Sequence, residues 1–205
     1  MKLLRYVFVL VPLVAVAAEY PDPTNWDYTI GGFALEDEII GARPGAIVAT
    51  GSSSMRFWGH RIHEDLAPLS VISRGFGGSN MNDVLHYLDR LVLMHEPRAV
   101  MIYEGDNDVA QGVPVEVILQ TFESAIDRIL LQDASIRIYL LSIKPSIARA
   151  SMWPVMLQVN AGLKQFAAAE PNIHYIDVAT PMLNADGSVR QDLFVSDGLH
   201  MNQKG

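Results

Sequence analysis

The chain has 205 residues, half of them apolar, with no cysteine and a formal net charge of −8. That length and composition suit one globular domain and exclude a disordered chain, a disulfide-held fold and a cysteine-linked lipid anchor. The acidic balance argues against nucleic acid or anionic lipid as the main partner, since both call for a basic footprint.

The N-terminus has the plan of a secretory signal. Lys2 and Arg5 form a positive start, Val7 to Val16 an apolar centre, and Ala15-Val16-Ala17 or Val16-Ala17-Ala18 the small residues behind which a signal peptidase cuts. The apolar run is shorter than the roughly 20 residues a spanning helix needs, and Pro12 interrupts it. Residues 1–18 are therefore expected to be removed, leaving a periplasmic or secreted protein at 19–205 with no stable membrane anchor. Residues 19–32, rich in Pro, Asp, Asn and Gly, read as an extended leader without regular structure. Phe33 to Ile40 reads as one short helix, and Pro44-Gly45 breaks the chain after it.

Strands and helices then alternate. Short apolar runs predict strands at Ala46–Thr50, Leu69–Ile72, Ala99–Tyr103, Ile136–Leu141 and Ile173–Ile176; continuous β-branched runs suit strands covered on both faces. Between them lie helical stripes: Val84, Leu88, Leu91 and His95; Ile118, Phe122, Ala125 and Ile129, opened by Pro114; and Met156, Val159, Leu163 and Phe166, opened by Pro154. The stripes read as core packing rather than cofactor sites. The alternation predicts an α/β fold, a three-layer α/β/α sandwich on a five-stranded parallel sheet. One more helix is expected beyond Asn202-Gln203-Lys204-Gly205 to cover the sheet beside the first and fifth strands, taken as neighbours or near neighbours, so the domain reads as truncated there.

In such a sheet ligands bind at the carboxyl ends of the strands. After the first strand comes Gly51-Ser52-Ser53-Ser54, after the second Arg74-Gly75-Phe76-Gly77-Gly78-Ser79-Asn80, after the third Glu104-Gly105-Asp106-Asn107-Asp108, and after the fifth Asp197-Gly198-Leu199-His200. A serine hydroxyl needs a neighbouring base to become a nucleophile. Imidazole serves near neutral pH, and a carboxylate fixes its tautomer and stabilises the cation that forms. Asp197 and His200 are spaced so that one local turn can aim the carboxylate at the ring. A glycine-rich loop and an asparagine side chain can supply donors for an oxyanion. Taken singly, each element has a plainer reading: a flexible turn at Gly51–Ser54, a tight turn or phosphate cradle at Gly77-Gly78, a partial calcium loop at Asp106–Asp108, and a turn at Asp197-Gly198. Their appearance together, at successive strand ends, favours the chemical reading.

That combination resembles the SGNH hydrolases, also called GDSL-like lipases and acylhydrolases, from about Ala46 onward. The resemblance makes Ser53 of Gly51-Ser52-Ser53 the nucleophile, Gly78 and Asn107 of Gly105-Asp106-Asn107 the oxyanion donors together with the Ser53 amide, and Asp197 and His200 the remaining catalytic pair. It implies a flavodoxin-like fold, no metal or organic cofactor, and hydrolysis of a small-molecule or glycan ester, with short acyl or acetyl groups favoured because no long apolar lid is visible. Ser52 stands where the family has aspartate, outside the triad. The Gly-x-Ser-x-Gly elbow of α/β-hydrolases is absent, since Met55 holds the second glycine position.

Other readings remain open at this stage. One is a carbohydrate-binding module without catalysis; the intact set of Ser53, Asn107, Asp197 and His200 opposes it. Another is a lysophospholipase-type lipid esterase. A third is a nucleotide-binding protein using Gly75–Gly78 as a phosphate loop, opposed by the lack of a basic residue after those glycines. His60, His63 and Glu64 match neither zincin order and read as a solvated helix face; His86 and His95 read as surface or rim residues. The segment Lys144–Trp153, with Pro145 and Arg149, reads equally as a pocket wall and as an ordinary crossover.

Overall fold

The computed structural model describes residues 19–59 and 61–205; the expected signal segment at 1–18 and His60 lie outside the described residues. Five strands, β1 (Ile47–Gly51), β2 (Val71–Gly75), β3 (Ala99–Tyr103), β4 (Arg137–Leu141) and β5 (Ile173–Ile176), pair in parallel in the order β2-β1-β3-β4-β5. This is the doubly wound order of flavodoxin-like sheets. β1 and β5 are not near neighbours, contrary to expectation: β3 and β4 stand between them, and β5 is an edge. The chain crosses over once, after β2, to the far side of β1, and then grows the sheet in one direction.

The helices are α1 (Asp27–Ile40), α2 (Ser53–Trp58), α3 (Arg61–Asp65), α4 (Met81–His86), α5 (Leu88–Leu91), α6 (Asp106–Ala110), α7 (Val115–Gln132) and α8 (Trp153–Ala169). Alternation along each strand sends successive side chains to opposite faces. Val48, Ile72, Val100, Ile102, Ile138 and Leu140 join the main core, which also contains Ile30 of α1, Val84 of α4, Leu88 of α5, Phe122 of α7 and Leu163 of α8. On the other face Ile47, Ala49, Val71, Ala99 and Tyr103 pack with Met55 of α2 and Ile62 of α3 in a smaller core. The three layers are thus unequal in thickness.

Two segments depart from the sequence reading. Residues 19–32 are not wholly extended: Asp22 caps a 3₁₀ turn over Pro23–Trp26, and α1 follows at Asp27. Gly31-Gly32 reads as a helix breaker, but tertiary contacts override that preference. Ile30 is buried, and the Tyr87 hydroxyl bonds Asp27 Oδ1 at 2.7 Å. β2 begins two residues later than predicted and runs on through Ser73-Arg74-Gly75. Arg74 hides that extension. Its side chain is buried, pairs with Asp37 and with Glu36 of α1, and lies over the Phe33 ring.

The stripe from Val84 to His95 is buried at Val84, Leu88 and Leu91, but it is broken into α4, α5 and a 3₁₀ turn at Leu93–His95. His95 is buried rather than at a rim, because it closes over the Arg74–Asp37 pair, with Nε2 3.7 Å from Asp37 Oδ2. Burial holds its imidazole below the usual histidine range, against the pull of Asp37.

The exit of β4 is held by one side chain. Asn160 of α8 accepts from the Ile143 amide at 2.7 Å and donates to the Ile143 carbonyl at 2.9 Å, replacing a strand partner just beyond the ladder. Stranding a buried backbone group costs roughly 1–3 kcal/mol, so Asn160→Ala is expected to lower stability by about 2–4 kcal/mol in urea unfolding. A change under about 0.5 kcal/mol would show that water or a shifted backbone satisfies Ile143 equally well.

Candidate active site

The carboxyl end of β1 sets the site. A Cβ on Gly51 would lie 2.1 Å from the Tyr103 carbonyl oxygen, so only glycine lets β1 leave the sheet against β3 here. Ser52 follows, buried, its amide bonded to the same carbonyl at 3.2 Å, and α2 starts at Ser53. Gly75 at the end of β2 has the matching role. A Cβ there would lie 2.3 Å from the Arg56 amide nitrogen, so its absence lets the α2 backbone settle onto the sheet.

Ser53 Oγ lies 3.0 Å from His200 Nε2, and His200 Nδ1 lies 2.7 Å from Asp197 Oδ2. The other carboxylate oxygen, Oδ1, accepts from the Leu199 and His200 amides at 2.8 and 2.9 Å. The bond from the His200 ring, and then these amides, hold the Asp197 carboxyl far below the usual carboxylate range. With the carboxylate ionised, the ring proton belongs on Nδ1, which leaves Nε2 free to accept from the serine. Phe57 of α2 stands edge-on to the imidazole, with ring centroids 4.9 Å apart. The turn bearing Asp197 and His200 is tied to the segment after β4 by the Ile147 and Ala148 amides, which both donate to the Gly198 carbonyl, at 2.9 and 3.0 Å.

The glycine loop and Asn107 meet beside this chain of bonds. A Cβ on Gly77 would lie 3.6 Å from Ser53 Cβ, so the loop packs directly on the serine. Gly78 has φ +96° and its open face turns to the Trp26 ring. Asn107, in the first turn of α6, donates from Nδ2 to the Ser79 carbonyl at 2.8 Å, and its Oδ1 accepts from Arg149 Nη2 at 3.0 Å. The structure therefore brings Ser53, Asp197 and His200 into one hydrogen-bonded run, with the loop of Gly78 and the amide of Asn107 alongside. A hydroxyl, an imidazole and a carboxylate in that order can pass a proton away from the hydroxyl as it attacks.

Several neighbours carry no clear signal in the sequence. Arg149 reaches back to Asn107 and Asp106, and Lys144 donates to the Leu199 carbonyl at 2.8 Å, so the segment after β4 is part of the site. Behind the loops, Glu104 accepts from the Ser79 hydroxyl at 2.6 Å and is fully buried, and its second oxygen has no partner among the described residues. Asp108 accepts from the Met81 amide, the Tyr20 hydroxyl and the Gly105 amide, joining the two loops to the start of the described chain. Burial pushes Glu104 well above the carboxylate range and Asp108 up to about 6. Asp106 and Asp108 face different partners, Asp106 the side chains of Arg149 and Lys144 and Asp108 the two amides and Tyr20. Among the described residues no group of three or more His, Asp or Glu is placed to hold a metal ion. His63, Glu64 and His86 are exposed.

A cleft of about 860 Å³ adjoins His200 on the side of the smaller core, where Phe57, Trp58, Tyr103, Leu141 and Lys144 line it. Ser54 and His200 are also in its wall, which puts it next to the Ser53–His200 pair, while Gly78 and Asn107 lie outside its lining.

The sequence matches the profile of the GDSL-like Lipase/Acylhydrolase family over residues 39–205. The chain belongs to that family. Among solved structures, a GDSL-like lipase from Bacteroides thetaiotaomicron is 20% identical with a TM-score of 0.73, over 85% of this chain and 90% of its own. The lipase/acylhydrolase from Enterococcus faecalis is 21% identical at TM-score 0.64, over 78% and 88%. A psychrotrophic esterase from Pseudoalteromonas sp., in a structure inhibited by monoethylphosphonate, is 21% identical at TM-score 0.59, over 78% and 89%. At these identities the likeness is one of fold. No curated protein matches the sequence. Membership makes this GDSL-like chain an acylhydrolase or esterase by family, and among its described residues no helix is long and apolar enough to cross a membrane.

The buried acids give the GDSL-like domain a testable pH dependence. A carboxyl whose folded pKa is raised stays protonated in the fold while the unfolded chain releases its proton, so stability falls as pH rises from the unfolded toward the folded value. Glu104 and Asp108 both act in this sense. Thermal midpoints measured from pH 5 to pH 8 should fall more steeply for the natural chain than for Glu104→Gln, which keeps an acceptor for Ser79 and cannot ionise. Parallel slopes would mean that Glu104 is ionised in the folded protein.

Proposed function

We propose that this GDSL-like chain is a carboxylic-ester hydrolase working through a Ser53–His200–Asp197 triad. Ser53 Oγ attacks the ester carbonyl as His200 Nε2 takes its proton, and Asp197 keeps the ring in place and stabilises the imidazolium. The oxyanion is held by the amides of Ser53 and Gly78 and by the Asn107 side chain. Collapse expels the alcohol, which leaves with the proton from His200. Water then attacks the acyl-serine with His200 again as base, releasing the acid and restoring Ser53. The observation that carries this reading is the unbroken run of bonds, 3.0 Å from serine to imidazole and 2.7 Å from imidazole to carboxylate. The placing of the glycine loop beside Ser53 supports it.

The substrate we favour is a short-acyl or acetyl ester of a small molecule or glycan, because the segments between the strands contain no long apolar stretch of the kind a lipid-binding lid needs. Lys2, Arg5 and the apolar run to Ala18 support export, with residues 1–18 removed as a signal and the mature domain periplasmic or secreted. Inhibition of the Pseudoalteromonas esterase by monoethylphosphonate makes organophosphorus reagents the natural probe. A fluorophosphonate should label the natural protein and leave Ser53→Ala untouched; labelling of both would remove Ser53 as nucleophile. On soluble acetyl esters Asn107→Ala should lower turnover on the order of a hundredfold or more, the usual loss for one oxyanion donor. Unchanged turnover would take Asn107 out of the mechanism.

A further inference from the structure

We propose that Arg149 is a positioning residue for the oxyanion donor, fixing which end of the Asn107 carboxamide faces the glycine loop. This rests on the ester-hydrolase reading. The two ends of a carboxamide have nearly the same shape, so only their partners decide which way the group points. Here Asn107 Nδ2 faces the Ser79 carbonyl and Oδ1 faces Arg149 Nη2. A guanidinium can only donate and a carbonyl can only accept. The reversed amide would set donors against donors at one end and oxygen against oxygen at the other. With one amide hydrogen spent on Ser79, the second is left for the oxyanion.

The guanidinium is itself held. Its Nη1 bonds Asp106 Oδ1 at 2.5 Å while Nη2 bonds Asn107, so one planar fork spans two consecutive residues of α6. Lysine, a single point of charge, cannot reproduce that span. Asp106 is almost fully buried, and its Oδ2 lies 3.7 Å from the Nζ of Lys144, also buried, which bonds the Leu199 carbonyl next to His200. Asp106 therefore has two cations around it, Arg149 and Lys144, and the guanidinium that pairs with it is the one that reaches Asn107. Charge aimed at a developing anion in a poorly solvated site is effective because it needs no reorganisation. A cation against the amide oxygen also strengthens the N–H groups at the other end. The Arg149 side chain is not what anchors its own segment: the Ile147 and Ala148 amides do so on Gly198. Removing the guanidinium should leave the backbone in place.

The test uses Arg149→Met, Arg149→Lys, Asn107→Ala and the double variant Arg149→Met/Asn107→Ala, with p-nitrophenyl acetate as substrate. Arg149→Met should lower kcat about 10- to 100-fold, with KM within about twofold. Arg149→Lys should recover part of the loss. Adding Arg149→Met to Asn107→Ala should lower kcat less than about threefold further, because both changes act on the same donor. In ¹⁵N-labelled protein, the side-chain amide pair of Asn107, identified by its loss in Asn107→Ala, should move toward its free-solvent position in Arg149→Met. Full additivity with Asn107→Ala, an effect confined to KM, or an unmoved Asn107 amide pair would overturn the proposal. If the natural protein hydrolyses no ester and takes up no fluorophosphonate, the ester-hydrolase reading fails, and the amide resonances still decide whether Arg149 holds Asn107. Should Arg149→Met not fold, the same amide comparison in Arg149→Lys decides it.

Discussion

At the carboxyl end of β1 the backbone runs so close to the Tyr103 carbonyl that a single methyl group at Gly51 would collide with it. The close approach at Gly51, and its counterpart at Gly75 against α2, seat the first turn of α2 between the ends of β1, β2 and β3. The serine inherits its position from the sheet register rather than from its own contacts. Gly51 pairs with Gly75 on one side and with Tyr103 on the other, so the three loops that follow start at one level. Everything else in the site is arranged around that level: the glycine loop lies against the serine, α6 presents Asn107, and the segment after β4 reaches across to α6 and to the Asp197–His200 turn.

The parts legible in the sequence are those where local pattern and final packing agree. The bounds of β3 and β5 follow directly from apolar runs flanked by turns, and the glycine loop and Asn107 stand just after strands, where a parallel sheet exposes its loops, while Asp197 and His200 come from the longer segment after β5. β2 escapes a local reading because Arg74 ends it as a buried charge, paired with α1 residues far away in sequence. α1 reads too short because glycine and asparagine content outweighs, in any local reading, one buried isoleucine and a bond from Tyr87. Arg149, Lys144 and Glu104 carry no motif. Their meaning lies in pairings between separate loops that only the strand order creates: Arg149 with α6, Lys144 with the Asp197–His200 turn, and Glu104 with Ser79 of the loop after β2.

The polar interior behind the loops has the cost usual for such devices. Glu104 keeps one oxygen unpartnered and Asp108 carries three bonds, while an apolar filling would be simpler to bury. What the acids supply is connectivity. Ser79 is tied to β3 through Glu104, and the amides of Met81 and Gly105 converge on Asp108, so two loops that must keep a fixed spacing share common anchors. Tyr20 extends the anchorage to the segment where the expected mature chain begins.

Ser53 and His200 belong to parts of the molecule with different support. The serine follows β1, an interior strand that is buried along its whole length. The Asp197–His200 turn is partly exposed; it is closed by the Val195 amide on the His200 carbonyl and the Phe194–Met201 bridge, and is tied to the rest of the molecule by two amides on the Gly198 carbonyl, the Lys144 contact with Leu199 and the ring contact with Phe57. Regions with few buried contacts open locally at free energies well below that of global unfolding. The Ser53–His200 hydrogen bond is therefore a joint between a rigid unit and a more exposed one. Warming should part the imidazole from the Ser53 hydroxyl while the sheet is still intact, so that on the proposed mechanism inactivation would be local and would precede loss of the fold.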